Sequence, residues 1–297
     1  MAAVELVRSQ NSDRSPRIPA RRYPLTHIHD GFVYEVYRVT SENKFALRMR
    51  ALTFEKAFGY TDPFLTHDKV RSYTKEGGEV IFVKTRGHHA KDIAIVTQDV
   101  RKVTVNDQTM TILNPGIRVV FPEYQKHGIA THLAEEAIKR HRPYFVVGKT
   151  RTWRIPRMYE DTRLIKSIHP IDGLFTSGMQ EVLRLTLDRS TLLSTDLRTG
   201  VCLGIYPPEE SSRFIPPSTN ARGVAIDRRI RELGVQPERG DGIVYCAVIN
   251  QEAVEVAIAG GRLEQAVAGS VVSSPIARLW NRMRTHWLRL LPGLKQP

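Results

Sequence analysis

Cysteine is scarce, with only Cys202 and Cys246 in 297 residues. Two cysteines cannot build a disulfide scaffold or a zinc site made of cysteine pairs, and they fit a reducing, cytoplasmic setting. Long apolar runs are missing too. Nothing approaches the roughly 18 consecutive apolar residues that span a bilayer, and residues 1–22 lack the apolar centre of a signal peptide. No GxxxxGK[ST] phosphate loop occurs, and no GxGxxG after a first strand with an acid about 20 positions on, so neither nucleotide fold is indicated. No internal repeat is visible. Carboxylates are outnumbered, 31 against 44 Lys and Arg, for a formal charge of +13. That balance favours an anionic partner, whether nucleic acid, a membrane surface or a phosphorylated cofactor.

A hydrophobic share of 41% is enough to bury a core. Residues 1–25 carry Arg8, Arg14, Arg17, Arg21 and Arg22 with few carboxylates and read as a flexible basic tail. Residues 32–40 are aromatic and β-branched and predict a strand. Phe45, Met49, Leu52, Lys56 and Phe58 space a helix ending near Gly59, with Ser41 as its candidate cap. Residues 79–84 and 92–97 predict two strands. Residues 109–113 and 117–120 predict two more, with Asn114-Pro115-Gly116 as a turn or bulge between them. From Gln125 the spacing turns helical, with Ile129, Leu133, Ala134, Ala137 and Ile138 on one face. Pro143 stops that helix, and residues 144–147 make a compact buried strand. Strand, helix, strand predicts an α/β layer. Farther on, residues 179–187 and 225–233 read as helices, and 201–206 and 243–249 as strands. Residues 213–222 form a Pro-rich loop.

The informative stretch is 117–140. A strand runs through Val119, Val120 and Phe121 into Pro122, Glu123 and Tyr124, and a helix opens after Gln125. Gly128 and Ala130 are small and let a ligand approach the backbone. Free N–H groups at a helix start, with the helix dipole, bind anions, and Lys126 and His127 add donors. The chemistry this suits is a diphosphate at a helix N-terminus.

Gln125-x-x-Gly128-x-Ala130 after this strand resembles the Q/R-x-x-G-x-G/A motif of the GNAT superfamily of N-acyltransferases. The resemblance covers residues 26–165; Ala130 stands where glycine is commoner. It implies a GNAT-like α/β (α+β) fold, a mixed, centrally splayed sheet flanked by helices, with a C-terminal extension. It implies acetyl-CoA or another acyl-CoA as co-substrate, no metal, and a small-molecule or protein amine as acceptor. The backbone of Gln125, Lys126, His127, Gly128, Ile129, Ala130 and Thr131 would hold the pyrophosphate. Val119 and Phe121 would pair with pantetheine, and an N–H near Val120 would polarise the thioester carbonyl. Tyr159, after the 144–147 strand, is the candidate acid for the leaving thiolate, and Glu123 the candidate base.

On this reading residues 1–25 are a tail and 26–170 an acyl-CoA-binding domain. Residues 171–270 are an α/β region completing or extending the core, and 271–297 a basic amphipathic helix. That helix is marked by Ile276, Leu279, Trp280, Met283, Trp287 and Leu290, with arginines between them. Two alternatives stand beside the acyltransferase. One is a GNAT-like protein that binds or modifies nucleic acid, prompted by Arg151, Arg154, Arg157, Arg163 and Lys166. The other is a catalytically silent interaction module. His27, His29, His88 and His89 give no third ligand at a convincing metal spacing.

Overall fold

A computed structural model describes residues 24–57, 75–206 and 218–270. Phe58, Gly59, most of the basic tail, most of the 213–222 loop and the 271–297 helix lie outside the described residues. Two compact units are present, Met1–Thr97 and Gln98–Pro297.

The first unit is built on antiparallel ribbons. Strands β1 (Leu25–His29) and β2 (Phe32–Arg38) form a hairpin whose turn, Asp30-Gly31, has both residues at positive φ. That is the two-residue turn whose twist matches paired strands. β2 pairs antiparallel with β3 (Glu79–Lys84), and the order continues to β4 (Asp92–Val105), which begins in this unit and runs on into the next. Helix α1 (Lys44–Ala57) buries Leu47, Ala51 and Phe54, while Phe45 and Met49 face solvent. Its start is held reciprocally: Asn43 Oδ1 accepts from the Thr40 N–H, and Thr40 Oγ1 from the Asn43 N–H. The cap is thus Thr40, not Ser41. Arg50 grips Asp92 with two hydrogen bonds, Nε to Oδ2 at 2.7 Å and Nη2 to Oδ1 at 2.5 Å.

In the second unit the strand order is β4-β5-β6-β9-β7, with the short β8 (Val201–Cys202) paired to β9. β4 turns into β5 (Gln108–Val120) at Asn106-Asp107, again with both residues at positive φ. β5 is one continuous strand; Asn114-Pro115-Gly116 does not divide it. β6 (Phe145–Thr150) pairs parallel to β5 and antiparallel to β9 (Gly242–Ile249), and β9 also pairs antiparallel with β7 (Ile165–His169). The sheet is therefore mixed and mostly antiparallel. Helices α2 (Ile129–His141), α3 (Arg154–Asp161), α4 (Ser177–Thr186), α5 (Arg189–Leu193), α6 (Ala221–Glu232) and α7 (Gln251–Ser270) flank it.

β9 explains why its sequence is apolar throughout. Ile243, Tyr245, Ala247 and Ile249 pack on one face with α2, α3 and α6 residues such as Ile138, Tyr159 and Ile226. Val244 and Cys246 pack on the other with Phe175, Val182 and Leu183. A strand covered on both faces has no polar side to show. Both cysteines are free and buried, and burial pushes the Cys246 thiol well up. No helix among the described residues is long and apolar enough to cross a membrane.

Candidate functional site

The second unit's sheet opens at its centre. β5 and β6 pair only at Ile112↔Phe145 and Leu113↔Val146. Both strands continue, β5 to Val120 and β6 to Thr150, without pairing again. Asn114 stands where they part. Its Nδ2 donates to the Val147 carbonyl at 3.1 Å, taking the place of the next ladder bond, and Pro115 has no N–H with which to continue the ladder. β6 stays paired to β9 as far as Thr150. From Asn114 onward β5 has no strand neighbour on its β6 side among the described residues.

β5 then delivers the chain to the start of α2. A single 3₁₀ turn, Pro122–Tyr124, follows Phe121. The Tyr124 N–H donates to the Phe121 carbonyl at 2.9 Å, and Gln125 Nε2 to the Val120 carbonyl at 3.1 Å. Lys126 (φ 69°) and Gly128 (φ 71°) are both left-handed. Gly128 is the N-cap of α2, with no side-chain cap bond and no acid in the first turn. The first helical bond runs from the His132 N–H to the Gly128 carbonyl, 2.9 Å. The N–H groups of Ile129, Ala130 and Thr131 precede that ladder and have no acceptor within the helix. Ile129, Leu133, Ala134, Ala137 and Ile138 anchor the helix on the sheet, so the predicted face is the buried one. A Cβ placed on Gly128 meets nothing within 4 Å. The glycine serves the backbone turn and leaves open space in front of it. Lys126 and His127 are exposed beside it.

The predicted acid lies deeper. Tyr159, on α3, is 0% exposed, and its hydroxyl has no ordinary hydrogen-bond partner among the described residues. Its ring lies 5.9 Å from that of Tyr245 on β9, with the Arg118 guanidinium 5.5 Å from its centroid. Burial pushes the Tyr245 phenol well up, Tyr159 adds to that, and the Arg118 charge opposes it. Tyr245 therefore stays a neutral donor. It lies across its strand partner Gly148, where a Cβ would sit 2.5 Å from the Tyr245 oxygen. A glycine in a strand interior here marks the close approach of a neighbouring ring. The predicted base, Glu123, is exposed on the 3₁₀ turn. Val119 is buried, and Val120 and Phe121 are half-buried.

The sequence reading gave no role to Arg118, Tyr245 or Gly148, and read Asn114 only as part of a turn or bulge. Arg118 was the readable signal: a lone charge inside the apolar strand 117–121. The arginines of 151–166 do not make one exposed basic face. Arg157 pairs with Asp161 at 2.6 Å and Glu160 at 3.5 Å, and Arg151 lies over the Tyr206 ring at 5.0 Å. His27 stacks on Tyr34 at 4.8 Å, and His29 pairs with Asp30 at 3.3 Å.

No family model matches the chain, and no curated protein matches it. Solved structures similar to it include a conserved protein of unknown function from Enterococcus faecalis V583. That likeness has 10% identity and a TM-score of 0.29, and covers 43% of this chain and 32% of that one. The ribosomal-protein-S18-alanine N-acetyltransferase of Escherichia coli aligns at 13% identity and TM-score 0.36, over 73% of this chain and 94% of that one. Arabidopsis thaliana NAA60, solved with a bisubstrate analogue, aligns at 11% and 0.35, over 73% and 99%. Likenesses this distant decide nothing about chemistry.

Proposed function

We propose that the chain is an acyl-CoA-dependent N-acyltransferase of the GNAT kind, with acetyl-CoA as the first co-substrate to test. The observation that carries the reading is the run from β5 into α2. A strand leaves its neighbour at Asn114, stays without a β6 partner to Val120, and ends at a helix start whose first N–H groups lie outside the helical ladder. Such an edge suits an extended pantetheine arm bound like an added strand. Such a helix start suits the diphosphate of the same molecule.

In this reading Gln125, Lys126, His127, Gly128, Ile129, Ala130 and Thr131 hold the diphosphate. Val119 and Phe121 align the arm, and the N–H near Val120 polarises the thioester carbonyl. The neutral acceptor amine attacks that carbon, forming a C–N bond and a tetrahedral oxyanion. The C–S bond then breaks. Tyr159 gives the departing thiolate its proton, and Glu123, directly or through water, takes one from the amine. The products are an amide and free CoA. On this reading residues 171–270 complete the domain rather than form another, a view supported by β9, which pairs with both β6 and β7.

Gly128→Glu tests the cradle. Space around Gly128 is open, so the variant is expected to fold, with a strain cost of about 1–2 kcal/mol for a left-handed non-glycine residue. Its carboxylate meets the diphosphate with like charge. Calorimetric titration is expected to show acetyl-CoA binding to the wild type and none to the variant. Equal binding by both would remove the site assignment.

A further inference from the structure

Arg118 is placed on β5 beyond the parting from β6, and its guanidinium is strangely partnered. Nη1 donates to the Met158 sulfur at 2.7 Å, a weak acceptor. Nε and Nη2 are buried and make no hydrogen bond among the described residues. No carboxylate among the described residues pairs with it. A partly buried cation whose Nε and Nη2 are out of water and meet no anion is costly, and the Tyr159 ring beneath it offsets only part of that cost.

Two other arginines show what this pair of nitrogens does in the same chain. Arg50 gives Nε and Nη2 to the two oxygens of Asp92. Arg222 gives Nε and Nη2 to Glu160, with Nε at 2.9 and 3.0 Å from its oxygens. In each case Nε and Nη2 share one carboxylate, as a planar fork favours, and Nη2 also reaches a second, Glu35 for Arg50 at 3.0 Å and Asp172 for Arg222 at 3.1 Å. Arg118 turns the same two nitrogens to no protein group among the described residues.

We propose that Arg118 is a substrate-binding residue that takes a carboxylate in its Nε/Nη2 fork, so that the reaction's substrate is an acid. Resting on the acyltransferase reading, this places the carboxylate beside the Tyr159 phenol, within reach of the reacting centre. It comes from one of two sources: an amine acceptor that also bears a carboxylate, as an amino acid does, or an acyl group ending in one, as succinyl does. The fork discriminates against the uncharged carboxamide of either, because an amide offers one acceptor and no charge.

The test uses the full chain and its Arg118→Met variant, which keeps a stem to pack on Met158. Thermal melts of the wild type are run with a panel of amino acids against their carboxamides, and with succinyl-CoA against butyryl-CoA. At least one acid is expected to bind about tenfold or more tightly than its uncharged partner, and the arm in which this happens names the source. The variant is expected to lose that preference while melting at or above the wild-type temperature without ligand, since a partly buried, unpaired charge has been removed. Two results would overturn the proposal. One is no acid preference in either arm while acetyl-CoA still stabilises the protein, which leaves the acyltransferase reading standing. The other is a variant that melts several degrees lower, which makes Arg118 a structural residue. Failure of every CoA ester to bind would instead count against the acyltransferase reading, and the amino-acid arm would still decide the fork.

Discussion

At the scale of single residues the candidate centre is set by a few close contacts. Gly148 is the tightest. Its missing side chain is the floor for the Tyr245 phenol, and an added methyl would lie 2.5 Å from the Tyr245 oxygen. Tyr245 is 1% exposed and cannot swing away cheaply. Gly148→Ala is therefore expected to cost about 1–3 kcal/mol by overpacking, read as a lower urea midpoint at unchanged slope. An unchanged midpoint would mean that the ring moves freely. Residue-level chemistry was partly legible in the sequence. Gly128 and the helix start behind it could be read because a glycine at a strand-to-helix turn has a local cause. Tyr245 and Gly148 could not be joined, since they meet only through the pairing of β6 with β9, about a hundred residues apart along the chain.

Among elements the legible ones were those with their own periodicity. β3 matches its predicted bounds, and α2 buries its predicted face. β1 is not legible although Asp30-Gly31 is a strong hairpin turn signal, because its five residues are mostly exposed and show no apolar alternation. Asn114-Pro115-Gly116 read as a break, but it parts two strands without ending either. β7 and α5 are too short to show a period. Order in the sheet was illegible: β9 comes late in sequence and inserts between β6 and β7. That insertion carries a prediction. A chain ending at Asp241 removes the antiparallel partner of β6 and of β7. It is expected to lose the cooperative melting transition seen by circular dichroism. A truncated chain that melts cooperatively and still binds acetyl-CoA would show that residues 242–270 are an appendage.

For the molecule as a whole, the charge of +13 has a plain use in the acyltransferase reading: CoA is a polyanion, and a positive field draws it in. The field is no address by itself; in that reading the edge of β5 and the start of α2 supply it. A crystal structure of the protein with CoA bound tests this most directly. The account predicts the diphosphate on the N–H groups of residues 128–131 and the pantetheine arm along β5 between Ile117 and Phe121. A diphosphate bound elsewhere, with the arm away from β5, would contradict it.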